Sequence, residues 1–361
     1  MTVTSVSPTL QPTMFQSELS TLTFTVPDGT ASAVFAVLDS TDDIVFRCTY
    51  IPDASGRIVV YGIDRLLAPL LENSLIAHVR FRVNGSDIFA GGVDVVRCSV
   101  RVEGGLGASG FLNSRWLSAF QSDVRVTAIG WSEQLHAYTS SKQTCTVEAR
   151  FVDVAAGKVC TRTTELQTAD GFITLNVSPS TMDLVMSPGD GWQLTSYTVR
   201  LGVREQVYRV IHSDSPDVAV FSFDNCFGLS ETLHLRGVRT SAPTYERSSA
   251  LVNGAYTCYD VDAEAAVTLN TGPLDEGTDS LVLDMLRSRR VTALSDDYGT
   301  VRNAVRRTDV VVTDCKPKFS DDPSESLSVE ITYRPASRVS SSIVPVLRER
   351  TFDETFDETF E

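Results

Sequence analysis

At 361 residues the chain exceeds what one hydrophobic core normally supports, so two or three domains are expected. Its 42% apolar and 21% charged content is that of a folded globular chain and excludes a disordered one. The formal charge of −15, from 46 acidic against 31 basic residues, repels phosphate backbones and excludes nucleic acid as an expected partner.

No run approaches the roughly 18 consecutive apolar residues of a membrane span, so none is expected. The opening Met1-Thr2-Val3-Thr4-Ser5 lacks the charged and apolar parts of an export signal, and synthesis in the cytoplasm is expected.

Short alternations of apolar and polar residues dominate, the pattern of strands with one face on a core. In the first region, 1–104, the stretches 22–26, 33–38, 44–50, 57–63, 77–83 and 93–102 read as strands of a β-sandwich, separated by Gly, Asp, Pro and Ser. Asp64 followed by Leu66, Leu67, Leu70 and Leu71 predicts a helical turn. The glycine-rich run 103–110 reads as an interdomain hinge, because a phosphate loop needs a lysine and a following helix.

The second region, 111–223, carries alternating stretches at 124–131, 144–152, 158–166, 171–177, 196–203, 207–212 and 218–223, and reads as a second β-sandwich. The third, 224–346, has strands at 231–238, 255–260, 265–270, 291–294, 309–313 and 326–333 around one helix, 275–289. That helix opens on acidic residues and closes on Arg287 and Arg289, matching its dipole, with Leu281, Val282, Met285 and Leu286 on one side. The expected class is mainly all-β: tandem β-sandwich and barrel domains, the C-terminal one with a single packed α-helix.

The tail, 347–361, repeats Thr-Phe-Asp-Glu and holds no basic residue after Arg350. Two readings stay open for it. Phe352, Phe356 and Phe360 either line a peptide that docks into a neighbouring subunit, or belong to a frayed terminus.

Chemistry-bearing residues are sparse. The seven cysteines, Cys48, Cys98, Cys145, Cys160, Cys226, Cys258 and Cys315, are dispersed without ligand-like spacing, and most of them read as buried thiols. His78, His136, His212 and His234 lie apart in sequence, in or beside strands, and read as structural. Asp123, Glu133, Asp214 and Asp217 are acidic candidates for a carboxylate-dependent hydrolase, but no spacing singles out a pair. The Asp39–Asp43 and Asp321-Asp322 clusters read as turns, since neither supplies the glycine and distal glutamate of a calcium loop. Trp116, Trp131 and Trp192 read as core. No catalytic residue, cofactor site or metal ligand is expected.

One stretch carries a resemblance. Asp224-Asn225-Cys226-Phe227-Gly228-Leu229-Ser230-Glu231-Thr232-Leu233-His234-Leu235-Arg236-Gly237 resembles a segment of structural proteins from phages and prophages of Bacteroides-type gut bacteria, with Cys226 where proline is expected. Tyr50-Ile51-Pro52-Asp53-Ala54-Ser55-Gly56-Arg57, Leu251-Val252-Asn253-Gly254 and the Phe-Asp-Glu-Thr tail are similar in order and spacing. The resemblance implies a virion protein of a tail tip or baseplate, made in the bacterial cytoplasm, whose partners are itself and other virion structural proteins. A host receptor or surface glycan is a further partner it allows. The alternatives are a tandem β-sandwich adhesin or carbohydrate-binding protein, whose contacts would come from loops at one end, and, third, the carboxylate-dependent hydrolase.

Overall fold

The computed structural model describes residues 3–103, 105–211, 219–274, 277–296, 305–318 and 327–336. His212, Asp214, Asp217, Asp321, Asp322, Phe352, Phe356 and Phe360 lie outside the described residues. The chain is mainly β, as its alternation predicts, and divides into two compact units. The first comprises 1–214, 223–232 and 275–289; the second comprises 215–222, 233–274 and 290–361.

The first unit opens with a sandwich. A three-stranded sheet of Ser5–Ser7, Thr21–Thr25 and Arg57–Tyr61 faces a larger one ordered Thr13–Phe15, Val93–Val96, Ile76–Val83, Ala33–Leu38, Ile44–Tyr50. In Thr21–Thr25 the inward residues are Leu22 and Phe24, and they share one core with Phe35, Val37, Phe81 and Val95 of the opposite sheet. The predicted helical turn is present as Ile63–Leu67, continued by a 3-10 turn over Ala68–Leu71 that buries Leu71.

A second sandwich follows in the same unit. Its five-stranded sheet runs Val124–Ala128, Arg204–Ile211, Trp192–Leu201, Thr144–Asp153, Val159–Gln167, with the first pair parallel. Its two-stranded sheet pairs Gln134–Thr139 with Gly171–Asn176. Cys145, Val147, Ala149 and Phe151 alternate inward from one strand and meet Leu135, Ala137 and Ile173 from the other sheet. The helix Pro179–Met186, which the sequence pattern does not signal, adds Met182 and Met186 to that core.

The glycine-rich run differs from a simple hinge at its C-terminal end. Ala108–Ser114 is a helix that buries Ala108, Phe111 and Leu112, because Phe111 stacks on Phe227 at 5.6 Å and meets Phe15 edge-on at 5.6 Å.

The second unit is built on an antiparallel sheet ordered Val291–Asp296, Val305–Lys318, Ser328–Pro335, Ala255–Asn270, Arg239–Val252; residues 219–222 and 233–235 continue it. Phe221 meets Tyr333 edge-on at 5.4 Å in its core. Gly237 stands so close to the Asn270 carbonyl that a Cβ there would occupy the same space, which demands glycine. The helix expected at 275–289 is observed over Thr278–Arg287 and clusters with the first unit.

Candidate functional site

Two features stand out chemically, one in each unit. In the first unit, polar groups are buried where apolar ones would normally lie. In the second, apolar groups are exposed where polar ones would normally lie.

The buried feature is built by the stretch that carries the phage resemblance. Asn225 folds it into a tight loop: its Oδ1 accepts from the Phe227 and Leu229 backbone N–H groups, both at 3.0 Å, and Gly228 takes the left-handed conformation with φ 73°. A Cβ on Gly228 would collide with the Arg97 guanidinium. The Asn225 amide donates to the Leu117 carbonyl at 2.9 Å and to Glu231 Oε2 at 3.0 Å.

Glu231 then ties the loop to the second sandwich. Its Oε1 accepts from Ser118 Oγ and from Arg125, each at 2.5 Å. Arg125 also lies 3.7 Å from Glu133 and sits over the Phe120 ring at 5.1 Å. Thr127 Oγ1 donates to Glu133 at 3.1 Å. Arg125, Glu133 and Glu231 are all at most 5% exposed, so the triad is desolvated on every side. Burial works against the Arg125 charge, and Glu231 and Glu133 more than offset it, so its pKa rises. The guanidinium stays charged because two carboxylates hold it.

His136 closes the other side of the loop. Its Nε2 lies 2.8 Å from the Ser230 carbonyl and its Nδ1 3.0 Å from Thr174 Oγ1. A carbonyl only accepts, so Nε2 carries the hydrogen and Nδ1 accepts from Thr174. Burial lowers the His136 pKa. The helix Thr278–Arg287 seals the loop from its own end: Asp284 Oδ2 accepts from the Cys226 N–H at 3.0 Å. Burial, assisted by Glu231, pushes the Asp284 pKa up to about 6. Arg125, Glu231, Glu133 and Asn225 are bound to one another, and His136 and Asp284 hold the backbone of the loop, so the assembly forms a clasp.

The exposed feature is the hairpin Arg239–Val252 and Ala255–Asn270. Asn253 and Gly254 both have positive φ, 52° and 81°, the geometry of a two-residue turn that matches strand twist. Every residue from Thr244 to Val261 is exposed. The register pairs Leu251 with Tyr256, Ser249 with Cys258 and Arg247 with Val261, and a bulge at Tyr259 keeps the pattern on one face. With Tyr245, these residues make a face that holds no carboxylate among its described members. Its apolar side chains are far from buried: Tyr256 is 82% exposed, Leu251 62%, Tyr245 60% and Val261 50%. The opposite face carries Glu246 and Asp260. An amphipathic ribbon wet on both faces has surplus apolar surface, the physical mark of a contact site.

The remaining sequence candidates fall apart from one another. Glu133 is part of the clasp, whereas Asp123 is exposed and its backbone carbonyl accepts from Val207 and Gln206. His78 is half-exposed and pairs with Asp94 at 2.8 Å. Asp39 accepts from the Thr41 and Asp43 backbone N–H groups, the expected turn. Trp116 is buried in the second core, while Trp131 and Trp192 are half-buried. Among the described residues no cluster of His, Cys, Asp and Glu is arranged to hold a metal, and no helix is long and apolar enough to cross a membrane.

No protein-family model and no curated protein matches the chain. Among solved structures, a chain in the virion of a native gene transfer agent particle is similar at 13% identity and TM-score 0.24, covering 35% of this chain and 95% of that one. A chain in the tail of an empty gene transfer agent particle gives 13% identity and TM-score 0.24, covering 36% and 99%. Native α2-macroglobulin of E. coli gives 8% identity and TM-score 0.19, covering 93% of this chain and 27% of that one. Likenesses of that size leave fold and function to be argued from the chain itself.

Proposed function

We propose that the chain is a structural protein of a phage-type virion, at a tail tip or baseplate, that acts through protein–protein contacts and catalyses no reaction. The observation that carries this reading is the hairpin, an amphipathic ribbon exposed on both faces from Thr244 to Val261. Surplus apolar surface on a strand pair costs solubility unless something covers it, and assembly is what covers it. The resemblance of 224–237 to phage and prophage structural proteins supplies the biological setting. The clasp explains why such a stretch would hold Asn225, Gly228 and Glu231: they pin one sandwich to a returning segment, which stiffens a component that must bear load.

The enzyme alternative loses its best-placed carboxylate, since Glu133 faces Arg125 inside the clasp. The carbohydrate alternative loses Trp116 to the core. The partners in this reading are the chain itself and other virion proteins, and the location is the particle.

Peptide mass spectrometry of purified particles tests it, with an antibody to the chain used to label them in micrographs. The expected result is the chain present at a fixed ratio to the other structural proteins, with label confined to one end of a tail. Particles that lack the chain overturn the reading.

A further inference from the structure

The apolar face of the hairpin has a chemistry that selects its occupant. The chain carries a net charge of −15, so two copies repel unless they meet through a surface poor in carboxylates. The face made by Tyr245, Arg247, Ser249, Leu251, Tyr256, Cys258 and Val261 is such a surface, and its charged member is an arginine. The other face of the same ribbon, with Glu246 and Asp260, is not.

The face also complements itself. When two copies stack face to face and antiparallel, the turn end of one lies over the base end of the other. With the Ser249 and Cys258 row at the two-fold axis, the Leu251 and Tyr256 row meets the Arg247 and Val261 row of the second copy. Val261 then packs on the Tyr256 ring, and the Arg247 guanidinium lies diagonally within reach of that ring, a favourable cation–π partner in a contact losing its water. Ser249 and Cys258 fall in the middle row, next to the symmetry axis. The edge strand is a poorer contact, because Pro243 interrupts the row of donors along Arg239–Val252.

The area is sufficient. Taking about 150–250 Å² for a buried aromatic, two largely exposed tyrosines with a leucine and a valine offer roughly 500 Å² per copy. Two copies bury on the order of 1,000 Å², the lower bound of a specific interface. We propose that a second copy of this chain is the occupant of this face, in an isologous contact that brings the two Cys258 side chains together. The inference rests on the assembly reading above in taking exposed apolar surface as contact surface.

The test uses the full chain in sedimentation velocity over a concentration series, with a short bismaleimide cross-linker and peptide mass spectrometry. The expected result is a concentration-dependent dimer with Cys258 joined to Cys258. Tyr256→Glu and Leu251→Ser, both at positions already exposed, are expected to weaken it at least tenfold without altering circular dichroism, and Glu246→Gln is expected to leave it intact. A dimer unaffected by Tyr256→Glu and Leu251→Ser, or cross-linked only through other cysteines, overturns the inference, as does a chain monomeric at every concentration. A monomer that is nevertheless present in particles overturns this contact and leaves the structural reading standing. A hairpin dimer absent from particles does the reverse.

Discussion

The clasp and the hairpin invert the usual rule of folding in opposite ways. The clasp buries Arg125, Glu133, Glu231, Asn225 and Asp284; the hairpin exposes Tyr245, Leu251, Tyr256 and Val261. The clasp is tolerable because its polar groups find partners inside the same unit, at 2.5 to 3.7 Å. The hairpin is held by its own ladder, with bonds along fourteen residues of one strand. A satisfied polar interior gives stiffness and geometric specificity, whereas an unsatisfied apolar exterior gives affinity for another surface. A side chain removed from the first should therefore weaken the fold, and one removed from the second should weaken only association.

The largest effect is expected at the triad. Glu231→Ala removes the acceptor of Arg125 and Ser118 and leaves a buried guanidinium with its more distant carboxylate alone, costing about 3–5 kcal/mol. Denaturant unfolding monitored by tryptophan fluorescence should show the loss in the transition of the first unit, and a change under about 1 kcal/mol would mean water reaches the triad.

Asn225→Ala comes next. It strands the Phe227 and Leu229 N–H groups inside the loop, which costs about 2–3 kcal/mol in the same measurement. Asn225→Asp keeps the acceptor but adds a charge beside Glu231, so it should not rescue.

The third prediction uses pH. The Asp284 pKa of about 6 lies above the value of about 3.9 for an unfolded aspartate, so the folded state binds its proton more tightly. Its contribution to stability is fully present below about pH 4 and is lost as pH rises through about 6. Glu231 opposes the ionised form, while the Cys226 N–H and Arg287 favour it. Asp284→Asn keeps an acceptor for Cys226 without the charge, and is expected to stabilise the clasp by about 1–2 kcal/mol at pH 7 and by nothing at pH 4. A mutant equally stabilising at both pH values would show that packing, not charge, sets the effect.

The smallest effect is expected where the apolar surface is greatest. Tyr256→Ser in the hairpin should change thermal stability of the dilute chain by less than about 0.5 kcal/mol, since the ring has little folded-state contact to lose. A drop comparable to that of Asn225→Ala would place the ring in a core and end the comparison.

Much of the architecture was legible before the structure, for a physical reason. In Thr21–Thr25 and Thr144–Asp153 one face is buried, so apolar residues recur at every second position and the strand announces itself. The strand Arg239–Val252 has no buried face over Thr244–Val252, so Arg247 and Ser249 interrupt the apolar side and Ala250 and Val252 stand on the polar one, and the alternation is too broken to mark a strand over 239–252. The signal that was available is Asn253-Gly254 between apolar residues, which by itself specifies a hairpin turn. The clasp was hidden by distance along the chain: Glu231 and Arg125 are 106 residues apart, and polar side chains have no periodicity that betrays their burial. Glu133 was named as an acidic candidate, but its partner Arg125 and its confinement inside the unit could not be read from spacing.

Amide hydrogen exchange, followed by mass spectrometry at a low and a high concentration of the full chain, tests the contrast most directly. The account predicts that Cys226, Phe227 and Leu229 exchange slowly and equally at both concentrations, while residues 244–261 exchange fast when dilute and become protected when concentrated. Hairpin amides with the same protection at both concentrations, or loop amides that exchange as fast as the hairpin does when dilute, would contradict it.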